Sequence, residues 1–337
     1  MYDNSAFSQK CPVRVGLVGT GYAAKLRAER LVHDQRSHLV AVAGHTPEKT
    51  EAFARDYQAE VIDSWQQLVE QDNIDLVVIC TVTRDHGAIA RRALENGKHV
   101  VVEYPLSVDL AEAEDLIALS KAQKKLLHVE HLELLGGLHQ ALKQYLPEIG
   151  QVFFVRYNTI NPQHPAPRKW TYCHELFGFP LIGALSRLHR LVDLFGKVLS
   201  VNCHNRFWQI EETEYYQSCF CDTHLSFESG LLAHVVYGKG ETLWQPERKF
   251  EVHGENGGLL FDGDTGILVQ QGETKPIEVS TRRGLFAKDT TIVLDHLIDG
   301  TPIYVTSEES LYTLKVADAA RRSAQMGVTV VLDDALH

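Results

Sequence analysis

A glycine turn near the start of the chain restricts the fold more than any other feature. Val13-Arg14-Val15-Gly16-Leu17-Val18 has the pattern of a short buried strand. It runs into Gly19-Thr20-Gly21-Tyr22-Ala23-Ala24, and a helical pattern follows from about Ala23 to His33. Strand, G-x-G-x-x-A turn and helix is the context in which this motif cradles a pyrophosphate. Gly19 permits the tight turn, Gly21 lets phosphate approach the main chain, and Ala24 lets the helix pack close to the strand. The helix N-terminus offers N–H donors and the positive end of a dipole. Gly19, Thr20, Gly21, Tyr22 and Ala23 are therefore expected to bind a dinucleotide.

The strand–helix alternation continues, which sets the turn in a doubly wound domain. The second strand, Leu39-Val40-Ala41-Val42-Ala43, ends in Gly44-His45-Thr46-Pro47. An NAD site usually has Asp or Glu there to hold the ribose 2′-hydroxyl. Here no carboxylate repels a 2′-phosphate, His45 and Thr46 can donate to one, and Lys49 or Lys25 adds charge. The expected cofactor is NADPH, with NADH less favoured. Ile74–Thr81 is a further buried strand, and the loop Thr81-Val82-Thr83-Arg84-Asp85-His86 lies at its carboxyl end, where α/β ligands bind. Thr81, Val82 and His86 are candidate cofactor contacts. A helix to about Asn96 follows, with Gly97 as its C-cap. Next comes the strand His99-Val100-Val101-Val102, which delivers Glu103 and Tyr104 to a cleft ahead of Pro105. A helix from Asp109 to Lys124 and a strand at 126–131 complete a doubly wound domain over residues 1–131.

From Gln151 the period changes to the alternation of antiparallel strands. Strands are expected at Gln151–Thr159, Val198–Trp208, Tyr215–Glu228, Gly230–Tyr237, Lys249–His253 and Gly258–Phe261. Ser229-Gly230 and Asn256-Gly257-Gly258 supply the turns. Helices are expected at Leu181–Leu194, Leu285–Asp299 and Ser307–Ala324. Residues 132–337 thus read as an α+β domain with a large, mostly antiparallel open sheet. A net charge of -11 argues against nucleic-acid binding. Met1–Lys10 is polar and lacks the apolar core of a signal peptide, and no apolar run nears the roughly 20 residues of a membrane span. A cytoplasmic protein is expected. The six cysteines include no CxxC, and Cys219-x-Cys221 would put both thiols on one strand face, so reduced structural thiols and no metal are expected.

The glycine turn, Thr81…His86, Gly97-Lys98-His99-Val100 and Glu103-Tyr104-Pro105 together resemble the glucose–fructose oxidoreductase / inositol dehydrogenase family over nearly the whole chain. The resemblance implies a Rossmann domain and a large-sheet domain, with the nicotinamide facing the sheet. In that family the strand usually ends Glu-Lys-Pro, and the lysine works with an Asp and a His of a D-x-G-x-H-x-x-D helix to deprotonate a sugar hydroxyl. Here the lysine position is Tyr104. Aligning on Asp193 puts Ser186 at the Asp position and Arg190 at the His position. No lysine–histidine relay remains, and neither a tyrosine nor an arginine is a ready base. An enzyme of this fold that does not oxidise polyols is expected.

Within the family, the biliverdin reductases carry the matching motifs, and the cyanobacterial members resemble this chain most. The shared segments are Glu103-Tyr104-Pro105, the run from His128 to Leu135, Phe177-Gly178-Phe179-Pro180, Ser186-Arg187 and Leu194-Phe195-Gly196. His164-Pro165-Ala166-Pro167 and Arg206-Phe207-Trp208 add to them. The resemblance implies a monomer that passes hydride from NADPH to the central methine carbon of biliverdin, giving bilirubin. Such a reaction needs no hydroxyl base, but it does need a cation that favours the electron-rich transition state. Arg187 is the expected catalytic cation, with Tyr104 beside the nicotinamide or the bilin and Glu103 at the nicotinamide ribose or carboxamide. Trp170, Arg190 and His131 are expected substrate contacts, with Tyr172, Phe177 and Phe179 as further aromatic walls and Arg168, Lys169 and Arg206 as further propionate partners. The alternatives are another NADP-dependent oxidoreductase of the same fold and a catalytically silent NADP-binding regulator.

Overall fold

A computed structural model describes residues 12–332. Met1–Lys10 and Cys11 lie outside the described residues. The first half runs β1 (Val13–Val18), α1 (Tyr22–His33), β2 (Ser37–Ala43), α2 (Pro47–Tyr57), β3 (Glu60–Val61), α3 (Trp65–Val69), β4 (Leu76–Ile79), α4 (His86–Glu95), β5 (His99–Val102), α5 (Leu110–Ala122) and β6 (Leu127–Val129). Then come α6 (Leu132–Leu135), α7 (Gly137–Tyr145), β7 (Val152–Pro162), α8 (His174–Phe177), α9 (Pro180–Gly183) and α10 (Ser186–Phe195). Strands β8 (Val198–Gln209), β9 (Tyr216–Phe227), β10 (Leu232–Gly240), β11 (Glu247–Gly254), β12 (Gly257–Asp262), β13 (Thr265–Gln270) and β14 (Glu273–Glu278) follow. The chain closes with α11 (Leu285–Asp299), α12 (Ser307–Met326) and β15 (Val330–Val331).

The first sheet is parallel throughout, with strand order β3-β2-β1-β4-β5-β6. Its order reverses between β1 and β4, so a crevice opens outside their carboxyl ends. The strands read as unbroken β-branched runs because both faces are covered. Val15, Leu17, Val42, Val78 and Val101 share one buried cluster with Ala24, Ala28 and Leu31 of α1. β3 is a two-residue edge strand that no periodic run announces.

The chain divides into two compact units. One holds residues 12–132 together with Gly284–Leu311, and the other holds Glu133–Arg283 and residues 312–332. The first unit therefore takes in a later segment as well as the residues up to the expected division at 131. The reason is α11, whose Val293, Leu294 and Leu297 enter the same cluster as Val13 and Leu31.

The second unit is built on a nine-stranded sheet, β14-β13-β12-β11-β7-β10-β9-β8-β15, in which only the β7–β10 pair is parallel. Its inner face carries Tyr157, Tyr237, Lys239, Cys219, Cys221 and Phe250, all buried. α10 packs on that face, with Phe195 edge-on to Phe227 and Arg187 over the Tyr237 ring. The helix expected over Leu181–Leu194 is two helices, α9 and α10, separated where Ala184 leaves helical geometry at φ -110 and ψ 38. β14 escapes the alternation rule because it is polar and carries Pro276, as an edge strand tolerates.

Candidate active site

The glycine turn has the geometry its chemistry requires. Gly19 sits at φ +116, and a Cβ there would come within 2.3 Å of the Cys80 carbonyl oxygen. Only glycine fits. At Gly21, the N-cap of α1, a Cβ would meet nothing within 4 Å. That open space is what a pyrophosphate would fill. The first turn of α1 contains no acid and has no side-chain cap, so its N–H groups and dipole are left to an anion. Gly44 follows β2, and a Cβ there would lie 2.3 Å from Thr50 Oγ1 and 3.0 Å from Thr20 Cγ2. The usual carboxylate at this point has no room. His45 is exposed, and Thr46, the N-cap of α2, makes no side-chain cap bond. The residues present fit a dinucleotide carrying a 2′-phosphate.

The carboxyl end of β5 is fixed from below by a buried network. Arg27 of α1 is fully buried and donates from Nε to Glu103 Oε1 at 2.7 Å and from Nη1 to Asp289 Oδ2 at 2.7 Å. Asp289 Oδ1 accepts from His128 Nε2 at 2.8 Å and from the Tyr304 hydroxyl at 2.7 Å. The Tyr304 oxygen in turn accepts the His131 N–H at 3.1 Å. Burial alone would push the Asp289 carboxyl up, but Arg27 and His128 outweigh it and hold the group well below the usual carboxylate range. Buried ion pairs add little net stability, so their value here is positional. One network orients Glu103, which ends β5, and His131, which follows β6.

Tyr104 stacks on His131, with ring centroids 5.6 Å apart and planes 4° apart. His131 Nε2 lies 2.9 Å from Ser310 Oγ. His86 is the third cofactor contact expected on the 81–86 loop. It is buried, with Nδ1 2.8 Å from the Pro105 carbonyl and Nε2 3.3 Å from the Thr81 carbonyl. Burial lowers its imidazole below the usual range, and the neutral ring, with one N–H, donates to one of these carbonyls, the Pro105 oxygen being the nearer. It positions the Thr81 and Tyr104–Pro105 loops. Thr81 and Val82 themselves are partly exposed at the carboxyl end of β4.

In the second unit, cations gather on the inner sheet face. Arg187 Nη1 donates to Ser186 Oγ at 2.7 Å, and its guanidinium lies 5.8 Å from the Tyr237 ring centre. Arg190 is buried, and its Nε and Nη1 have no hydrogen-bond partner among the described residues. Burial would raise the Tyr157 hydroxyl, but Arg190 and Arg187 outweigh it and leave it below the usual phenol range. Partial desolvation, then repulsion from Arg248, Arg187 and Arg190, lowers Arg282. Lys239 Nζ sits 3.8 Å from the Phe177 ring centre and 4.8 Å from that of Tyr172, and donates to the Thr171 carbonyl. Burial pulls it down to about 8. Trp170, 37 % exposed, tilts against Phe177 at 5.8 Å. Asp193 is taken up by His139 Nε2 and Lys143 Nζ, each at 2.8 Å, and serves structure.

Arg187, Arg190 and Arg282 lie near Tyr157, and the buried Arg190 Nε and Nη1 lack partners among the described residues, a set that suits an anion. Lys239, Arg248, Arg282 and Tyr157 are absent from the sequence expectation. Lys239 carried a usable signal, since it occupies an inward position of β10 in register with Val235 and Tyr237.

A family model described as an oxidoreductase family with an NAD-binding Rossmann fold matches residues 13–131, and its C-terminal alpha/beta partner matches residues 146–332. The chain belongs to that family, the glucose–fructose oxidoreductase / inositol dehydrogenase family. It is an NAD(P)-dependent oxidoreductase, and the glycine turn and the six-stranded sheet are its dinucleotide-binding half. Among solved structures, biliverdin reductase from Synechocystis sp. PCC 6803, in complex with biliverdin and NADP+, is 50% identical. It superposes with a TM-score of 0.92 over 93% of this chain and 99% of that one. Biliverdin reductase A of Homo sapiens is 28% identical over 300 residues, 88% of each chain. An aldose-aldose oxidoreductase from Caulobacter crescentus, 21% identical with a TM-score of 0.82 over 95% of this chain and 99% of that one, shares the fold.

Proposed function

We propose that this chain is a biliverdin reductase that uses NADPH to reduce biliverdin to bilirubin. The observation that carries the reading is the cation set of the second unit: Arg187 over Tyr237, the buried Arg190 with unpartnered N–H groups, Arg282 near both, and Lys239 against the Phe177 and Tyr172 rings. A chain of net charge -11 concentrates these cations on a face walled by Tyr172, Phe177, Tyr216 and Tyr237. That combination suits a flat conjugated molecule bearing two carboxylates. The likeness to biliverdin reductases supports it. So does the loss of the hydroxyl-deprotonating lysine and histidine at Tyr104 and Arg190.

When bound, NADPH supplies the hydride. The protein has three tasks. Gly19–Ala23 and the α1 N-terminus hold the pyrophosphate, and His45 and Thr46 meet the 2′-phosphate. Thr81, Val82, Glu103 and the Tyr104–His131 stack set the nicotinamide end. Arg187 faces the bilin as a fixed positive charge, stabilising electron density that builds as hydride reaches the central methine carbon. A solvent proton goes to a pyrrolic nitrogen, so biliverdin gains two electrons and two hydrogens and NADPH becomes NADP+. Arg190 and Trp170 bind the propionates and one bilin face. The protein works as a cytoplasmic monomer. Among the described residues no helix is long and apolar enough to cross a membrane.

The test is direct. Purified protein, NADPH and biliverdin are mixed and the visible spectrum is recorded. Decay of the long-wavelength bilin band with growth of a bilirubin band is the expected result. An unchanged spectrum at acidic and neutral pH overturns the reading.

A further inference from the structure

The outer face of the nine-stranded sheet holds a side-chain cluster that bilin reduction does not use. Asp222 and His224 stand two residues apart on β9 and so share a face. His234 of β10 lies directly across from His224 in the ladder. Asp222 Oδ1 is 2.6 Å from His234 Nε2 and 3.6 Å from His224 Nε2. The two imidazoles are stacked, with centroids 4.5 Å apart and planes 7° apart. Each of the three residues offers one ligand atom, and all three atoms lie within 4.8 Å of one another. Their side chains are 42%, 60% and 24% exposed in the order Asp222, His224, His234, so an ion in solution can reach them.

We propose that Asp222, His224 and His234 bind a divalent transition metal of the zinc type, stapling β9 to β10. Two imidazole nitrogens and one carboxylate oxygen are a donor set for Zn2+ and its neighbours, whereas Mg2+ and Ca2+ demand oxygen-rich shells. Tetrahedral ligands each about 2.0 Å from zinc lie about 3.3 Å apart. The two separations from Asp222, 2.6 and 3.6 Å, bracket that value, and the two stacked imidazoles must turn toward each other to complete the set. The backbone is already set, because β9 and β10 are hydrogen-bonded in continuous register from Ser218–Gly240 to Ser226–Leu232. On β8, His204 lies directly across from Asp222 on the same exposed face. The free thiols Cys203, Cys219 and Cys221 are buried on the opposite face and take no part.

The experiment uses the full chain without an added histidine tag. Zn2+ is titrated against a chromophoric chelator, and Co2+ is added as a spectroscopic probe. The expected result is one equivalent of either metal, visible d–d bands without thiolate-to-cobalt charge transfer, and a Zn2+-dependent rise in Tm. His234→Ala and His224→Ala should each weaken binding roughly tenfold or more and abolish the Tm rise. NADPH-dependent reduction by both variants should equal wild type, which shows that they fold. No bound equivalent, a thiolate charge-transfer band, or undiminished binding by His234→Ala would overturn the proposal. None of these outcomes bears on the bilin reaction.

Discussion

Tyr104 and His131 stack face to face, their ring planes within 4° and their centroids 5.6 Å apart, at the carboxyl ends of two neighbouring strands. The His131 imidazole is anchored by Ser310, and its backbone N–H by Tyr304. One face of the phenol is thus committed to protein, which fixes the ring plane before any ligand arrives. The plane, more than the hydroxyl, should matter. Tyr104→Phe is expected to keep kcat/KM within severalfold of wild type. His131→Ala removes a stack worth about 0.5–1.5 kcal/mol, so kcat/KM should fall by about tenfold. Steady-state kinetics on both variants check this, and a hundredfold loss in Tyr104→Phe would move the role to the hydroxyl.

Arg187 is held by Ser186 Oγ and lies over Tyr237, so its guanidinium has a set orientation on the inner sheet face. A charge preorganised toward a developing negative charge is worth about 10²–10³ in kcat. Arg187→Ala should lose that much turnover and leave the Kd for NADPH, measured by fluorescence quenching, within about twofold, since the two binding sites are built on different units. Arg187→Lys should recover only part, because an ammonium lacks the planar fork.

These two residues mark how far the sequence carries. The glycine turn, the strand ends at Glu103 and Tyr104, and Arg187 are local: each lies in or beside the periodic run that positions it. Arg27 and Asp289 are not. They are 262 residues apart, and their pairing exists only because α11 returns to the first unit. An isolated Asp on an amphipathic helix gives no sign of such a partner. Lys239 and Arg248 reach the inner sheet face through the register of their strands, and register is set by long-range pairing. The burial of His86 is illegible for a related reason. Its place in a ligand-facing loop suggests a ligand, but the loop folds back and buries it.

The Arg27–Asp289 pair predicts a stability effect larger than any at the surface. Removing one partner of a buried pair costs about 3–5 kcal/mol, and the low end applies here because Glu103 still compensates Arg27. Asp289→Asn should therefore lower Tm by roughly 10 °C by calorimetry. The wild-type pair also sets an acid limb. Asp289 is depressed in the folded state, so its contribution is present above the ordinary carboxylate range and is lost only as pH falls through the lowered value. The acid unfolding limb should flatten in Asp289→Asn.

Lys239 supplies the alkaline counterpart. Burial lowers it from 10.5 to about 8. For a base this sign means that the folded state binds fewer protons than the unfolded state between those values. Folding stability should then rise with pH across that window, as a burial penalty of about 3 kcal/mol is relieved. Anion binding should move the other way. As Lys239 loses its proton near pH 8, one cation leaves the cluster, and the KM for biliverdin should rise between pH 7 and pH 9. Lys239→Met should show a higher KM at pH 7 and little change over the same interval.

Gly44 sets the cofactor choice by lack of space. A Cβ there would sit 2.3 Å from Thr50 Oγ1, and that hydroxyl is held by the Thr46 carbonyl at 2.9 Å. Gly44→Asp alone must displace Thr50 from the first turns of α2, so it should lower Tm and weaken both dinucleotides. Adding Thr50→Ala removes the clashing oxygen and gives the new carboxylate room at the end of β2. There it would accept from a ribose 2′-hydroxyl and repel a 2′-phosphate. The double variant should shift the ratio of Kd for NADPH to Kd for NADH toward NADH by about tenfold to a hundredfold, since close like charges cost several kcal/mol before solvent screening. Titrating both reduced cofactors by fluorescence measures that ratio, and an unchanged ratio would mean that His45 and Thr46 alone hold the preference.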